Sequence, residues 1–134
     1  VIQSFFMQQS KLILPDLKWT IDNYTANDNT GTVYSEGSGD PDLYDADIHQ
    51  PEYMVYIRSS EFAYAEFAAR QVFNRFHKMH DQQVTISKTI KGATITTNYY
   101  VYLIQALSEP LRIGVDESGI MEWSINFRAT LREV

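Results

Sequence analysis

Tyr53-Met54-Val55-Tyr56-Ile57-Arg58-Ser59-Ser60-Glu61 leads without a break into Phe62-Ala63-Tyr64-Ala65-Glu66-Phe67-Ala68-Ala69-Arg70-Gln71-Val72-Phe73-Asn74-Arg75-Phe76-His77-Lys78-Met79, and this junction decides the fold. Residues 53–58 are strand formers with Arg58 as the only charge, which predicts a strand inside a sheet. Ser59 and Ser60 are the expected helix caps, because a serine oxygen accepts an orphan amide of the first turn, and Glu61 adds a charge that the dipole favours. The helix is expected over residues 60–79. Phe62, Ala65, Ala69, Val72, Phe73 and Phe76 recur in steps of three and four and form one apolar stripe, with Glu66, Arg70, Asn74, Arg75 and Lys78 on the other faces. Such a stripe covers a sheet, its alanines allowing close approach and its phenylalanines supplying most of the buried area, about 2 kcal/mol or more each.

Outward from this unit, residues 1–9 with Ile13 place Ile2, Phe5 and Phe6 near one helical face, a short helix ending before Pro15. Residues 18–24 alternate polar and apolar, a half-buried strand with Trp19 and Ile21 inward; residues 27–31 are a turn and 32–35 a short strand. Downstream, residues 83–90 alternate, Lys91-Gly92 turns the chain, and 93–107 returns as a long strand whose first part is expected to project beyond the sheet. Pro110 breaks that strand, residues 116–119 turn, and residues 120–131 form a last strand with Met121, Trp123, Ile125 and Phe127 on one face. The expected class is α+β: a mainly antiparallel sheet of five or six strands, one long helix across a face and a short N-terminal helix beside it. At 134 residues this reads as a single domain over 1–134. The face away from the helices is rich in Tyr, Thr and Asn and is expected to be buried against copies of the same chain.

Charge is unevenly placed. Residues 1–61 hold ten acids against Lys11, Lys18 and Arg58, a balance of −7; residues 62–134 hold seven acids against eight bases, a balance of +1. The net charge of −6 opposes nonspecific attraction to nucleic acid or an anionic membrane. Five of the acids, Glu36, Asp40, Asp42, Asp45 and Asp47, lie in a sixteen-residue stretch, 36–51, with no periodicity. A loop longer than about 12–15 residues in a compact domain is usually functional or disordered. The absence of cysteine excludes disulfides and thiolate ligands and is usual in a reducing cytoplasm. No apolar run approaches a membrane span and the start carries no leader pattern, so the chain reads as non-secreted and without a membrane partner.

Catalytic and cofactor signatures are thin. His77 and His80 are three apart with no third ligand at a recognisable spacing, and helix capping is their expected role. His49 reads as a surface residue of the acidic loop. The run 27–31 fails as an EF-hand at both ligating ends, and Gly37 and Gly39 precede a Pro-Asp run rather than a phosphate-binding helix. No catalytic, cofactor-binding or metal residues are assigned.

Three segments in order resemble a known family: Gly31-Thr32-Val33-Tyr34-Ser35-Glu36-Gly37-Ser38-Gly39 followed by an acidic loop; Gln50-Pro51-Glu52-Tyr53-Met54-Val55-Tyr56-Ile57-Arg58-Ser59 with its helix; and Pro110-Leu111-Arg112-Ile113-Gly114-Val115-Asp116-Glu117-Ser118-Gly119 leading to Trp123-Ser124-Ile125-Asn126-Phe127. Together they look like the minor capsid and tail-terminator (tail completion) proteins of long-tailed bacteriophages, over residues 31–131. The resemblance implies a virion assembly protein without enzymatic activity or cofactor. Such proteins form a ring, usually a hexamer, at the head-proximal end of a finished tail tube, stop its polymerisation and present a surface for head joining. The implied partners are copies of the chain, the tail tube protein and the head completion or connector protein, with genome DNA passing through unread. The implied location is the virion tail, with host cytoplasm during assembly. Interface or lumen candidates are then Tyr34, Tyr99, Tyr100 and Asp116, with Glu36, Asp40, Asp42, Asp45 and Asp47 either lining the DNA path or docking a partner. Competing classes are another neck, head-completion or tail-tube subunit, separable by tail length in mutant particles, and a small α+β ligand-binding domain or enzyme, which a concave pocket with convergent polar groups would favour.

Overall fold

The computed structural model describes residues 1–37, 41–45 and 47–134. In chain order the elements are α1 (Gln3–Ile13), β1 (Lys18–Ile21), β2 (Thr30–Ser35), β3 (Ile48–His49), β4 (Glu52–Ser59), α2 (Phe62–Phe76), β5 (His80–Ile90), β6 (Ala93–Ala106), β7 (Leu111–Val115) and β8 (Met121–Glu133). All eight strands belong to one sheet of order β1-β2-β4-β8-β6-β5, with β3 and β7 also paired to β8. The α+β class stands, and the sheet is mixed rather than purely antiparallel, because β1 runs parallel to β2 from Lys18↔Thr30 to Ile21↔Val33. Alternation marks a strand without giving its direction, which is set by where α1 leaves the chain.

The spine is β8. Its first half pairs with β4 on one side, Ser59↔Met121 through Glu52↔Arg128, and with β7 on the other, Leu111↔Ser124 through Val115↔Met121. Its second half carries β3 at Ile48↔Arg132 and β6 from Ala106↔Phe127 to Tyr99↔Glu133. Two strands therefore join the five or six expected. β7 forms immediately after Pro110 with an irregularity between Arg112 and Gly114, and β3 is a two-residue closure of the acidic loop.

Helix α2 is fifteen residues long, shorter than the span 60–79, and its capping differs from expectation. The N-cap position is Glu61 with no side-chain cap bond, while Ser59 Oγ accepts from the Glu61 amide at 3.1 Å and Asp28 Oδ1 from the Ser60 amide at 2.7 Å. Aspartate from the preceding turn thus secures the helix entry, a long-range contact that local spacing does not carry. The buried stripe is Ala65, Ala68, Ala69, Val72 and Phe76; Phe62, 47% exposed, leaves the predicted stripe, while Phe73 stays at its edge, half-buried against the core. Three small residues in the stripe bring α2 down onto β4 and β8, which leaves Phe76 to fill the space between the helices and the sheet.

Both helices lie on the same sheet face. Phe6 of α1 meets Phe76 at 4.6 Å between ring centroids, Tyr53 at 4.8 Å and Phe127 at 5.6 Å. Around these rings close Val33, Val55, Ile57, Val101, Ile104, Ile125, Ala129 and Leu131, all fully buried. Tyr53 Oη accepts the Ile2 amide at 2.9 Å, tying the start of α1 to the middle of the sheet.

Candidate functional site

The other sheet face carries the chemistry. The register aligns Tyr34 with Met54 and Asn126, Thr32 with Tyr56 and Ser124, and Thr30 with Arg58 and Glu122 in three cross-strand rows. The row along β8 continues through Arg128 and Arg132 to Tyr100 on β6. Arginines are pinned to acids along it: Arg128 to Glu52 at 3.0 Å and Arg132 to Asp47 at 3.7 Å. Tyr34 is half-buried with its ring 6.3 Å from Tyr56, and Tyr24 stacks on Tyr56 at 6.4 Å. Burial pushes the Tyr34 phenol up, and the half-buried Tyr56 is pushed up to about 12, by desolvation first and then by Glu122 beside it.

Arg58 is the fixed charge of this face. It is 3% exposed, donates to Glu122, to Asp116 Oδ2 at 2.7 Å and to Asn27 Oδ1 at 3.0 Å, and its guanidinium lies 4.8 Å from the Tyr24 ring centroid. A buried guanidinium is tolerated only when its fork of donors is satisfied, and these partners come from three separate segments. Asp116 is consequently more than a turn residue. Its Oδ1 accepts the Ser118 and Ile120 amides at 2.8 and 3.1 Å while Oδ2 holds Arg58, and these bonds, the Ile120 amide first, keep its carboxyl below the ordinary value.

The remaining candidates separate into two places. Tyr100 donates to Asp81 Oδ1 at 2.8 Å, which pushes its phenol up, and meets Tyr102 edge-on at 5.0 Å; Tyr99 is half-buried on the opposite face against the core. Within the acidic loop, residues 42–45 make a turn in which Asp42 Oδ1 accepts the Tyr44 and Asp45 amides, both at 2.8 Å, and Asp45 Oδ1 accepts the Asp47 amide at 3.0 Å. Those backbone bonds hold the Asp42 carboxyl below its ordinary value. Between the acids the turn presents Leu43 and Tyr44, 88% and 98% exposed. Glu36 is exposed and its amide donates to the Glu52 carbonyl at 3.0 Å; Asp40 lies outside the described residues.

The histidines are structural. His77 follows α2, stacks on Phe73 and accepts the Ala106 amide on Nδ1 at 3.0 Å, whereas His80 opens β5 with Nδ1 against the Lys78 carbonyl. Among the described residues no group of three or more His, Cys, Asp or Glu is placed to hold a metal ion, and no helix is long and apolar enough to cross a membrane. Two shallow grooves of about 350 and 290 Å³ run between α2 and β8, sharing Ala63, Glu66 and Trp123, with Phe67 and Arg70 at one end and Phe62 and Arg112 at the other. Sequence spacing missed Arg58, Glu122 and Asn27 as a unit because they meet only through strand register; the lone charge in an apolar strand was the available signal.

Comparison with known proteins agrees with this layout. Among solved structures, a chain from the virion of a native gene transfer agent (GTA) particle is similar in fold, with a TM-score of 0.59 at 16% identity, over 98% of this chain and 94% of that one. No curated protein sequence matches. The family model described as bacteriophage tail terminator protein matches residues 14–133, nearly the whole chain. That match carries a structural role in the phage tail, and by it the chain belongs to the bacteriophage tail terminator protein family.

Proposed function

We propose that the chain assembles as a ring, six copies in the simplest case, on the head-proximal end of a tail tube, closes the tube to further subunits and offers its other side to the head connector, without enzymatic activity. The family match over residues 14–133 carries this reading. Supporting it is a sheet face that no helix covers, whose tyrosines and ion-paired arginines suit a polar protein interface better than solvent alone. Tyr34, Tyr100 and the Asp116 turn are on or beside that face and are its proposed contact residues. The tube protein and the head-completion protein are the proposed partners, and genome DNA passes without being read in sequence.

The test is complementation of a phage lacking this gene, scored by negative-stain images. Without the protein, tails should be overlong; supplying it should restore normal length and head joining. Tails of normal length that fail to join heads in its absence would overturn the terminator assignment in favour of a head-completion role.

A further inference from the structure

Strands β5 and β6 run on past the sheet. They pair with each other from His80↔Leu103 out to Ile90↔Ala93, whereas β6 pairs with β8 only as far as Tyr99↔Glu133. Residues 85–90 and 93–98 thus run out as a two-stranded ribbon about 20 Å long at ~3.4 Å per residue, held at its base by the Val134 amide on the Asn98 carbonyl and by buried Ile86 and, among the described residues, flanked by no third strand beyond. An isolated two-stranded hairpin is at best marginally stable in water. Its two faces differ sharply. One carries Thr85, Ser87, Thr89, Thr94, Thr96 and Asn98, with Thr85 bonded to Asn98 at 2.7 Å and Ser87 to Thr96 at 3.0 Å, and needs no cover. The other continues the core face: Val84 and Ile86 are still buried, but beyond them Ile90 and Ile95 are each 50% exposed, with Lys88 directly opposite Ile95. No acidic residue occurs between Asp81 and Glu109, so Lys88 and Lys91 give the ribbon a positive charge in a chain of net charge −6.

The surface that complements it is on the same chain. The 42–45 turn combines two carboxylates with Leu43 and Tyr44, the two most exposed large apolar side chains among the described residues. We infer that the β5–β6 ribbon is an intersubunit arm whose Lys88, Ile90, Lys91 and Ile95 seat against Asp42, Leu43, Tyr44 and Asp45 of a second copy. Apolar groups on both sides lose water while opposite charges at the rim fix the register. Arm and turn are different patches, so the contact is head-to-tail and repeats from copy to copy, closing into a ring where the rotation allows. This rests on the ring reading above and specifies which surfaces make it.

Charge reversal tests the pairing. Sedimentation across concentrations is measured for the unaltered chain, for an arm variant (Lys88→Glu with Lys91→Glu), for a turn variant (Asp42→Lys with Asp45→Lys) and for the chain carrying all four, with circular dichroism as the folding control. The unaltered chain should self-associate, each double variant should do so roughly tenfold or more weakly while folded, and both the quadruple variant and an equimolar mixture of the two double variants should recover. The inference is overturned if the unaltered chain is monomeric at the highest attainable concentration, if only one variant is affected, or if the quadruple variant stays weak while folded. The terminator reading is judged separately, by tail length in particles, and survives any of these results.

Discussion

Arg58 Nη2 lies 2.7 Å from Asp116 Oδ2, joining the end of the strand that feeds α2 to the turn that feeds β8, fifty-eight residues away. The same guanidinium holds Glu122, so removing it leaves two acids facing a space vacated by their counter-charge. Arg58→Met should therefore lower stability by about 3 kcal/mol, in the range for breaking a buried pair by one partner, as read from the urea midpoint. The pH dependence has a definite sign. The Asp116 carboxyl is held below its ordinary 3.8 when folded, so its contribution is complete above that value and is lost as pH falls through the lower folded value. Asp116→Asn should flatten the acid limb of the stability curve. An unchanged acid limb would mean that Asp116 serves the turn alone.

Much of this arrangement was open to local reading and part was not. The β4–α2 junction, the 93–107 return strand and the last strand are legible because composition and periodicity are local signals: residues 53–58 are an unbroken run of strand formers ending in one charge, and residues 120–131 alternate. The direction of β1 and the existence of β7 are not, because both depend on which neighbour offers a free edge. The stripe of α2 differs from the predicted one at Phe62 and Ala68 for a related reason: steps of three and four from Phe62 pass over Ala68, yet the close approach to β4 and β8 selects the small side chain. For the candidate surface, Tyr34 and Asp116 are proposed through the resemblance, while the Arg58 network that connects the Asp116 turn to the face is visible only in the register.

The relocated stripe predicts an ordering of two truncations. Phe76 is fully buried against Phe6 and Phe127, so Phe76→Ala should cost about 3–5 kcal/mol through lost burial and a cavity. Phe73, half-buried and stacked on His77, should cost clearly less. Chemical denaturation of both variants checks the order, and the reverse order would restore Phe73 to the centre of the helix face.

Gly31 has no room for a side chain. A Cβ there would lie within 2.6 Å of Trp19 Cε3, and Trp19 is itself fixed by donating from Nε1 to the Leu14 carbonyl at 2.8 Å. Gly31→Ala should displace the indole, loosen the parallel β1–β2 pairing and cost about 1–3 kcal/mol, the usual penalty for overpacking. A Trp19 fluorescence shift in a Trp123→Phe background reports it. Unchanged emission and stability would show that β1 yields without strain.

The last prediction concerns the alkaline side and the attachment of α1. Tyr53 is fully buried in the middle of β4, and burial pushes its phenol up to about 12. The folded protein therefore keeps the Tyr53 proton at pH values where the unfolded chain, titrating near 10, has lost it. Its contribution is full below 10 and is lost as pH rises from there towards 12, a shift of about two units, or ~3 kcal/mol at one pKa unit per ~1.4 kcal/mol. Tyr53→Phe removes this limb and also the acceptor of the Ile2 amide, a buried bond at 2.9 Å whose loss costs about 1–3 kcal/mol. The variant should thus be less stable than the parent at neutral pH, fall less steeply between pH 10 and 12, and show earlier hydrogen exchange at the start of α1. Equal slopes above pH 10 in parent and variant would mean that another tyrosine, the half-buried Tyr56 foremost, carries the alkaline limb.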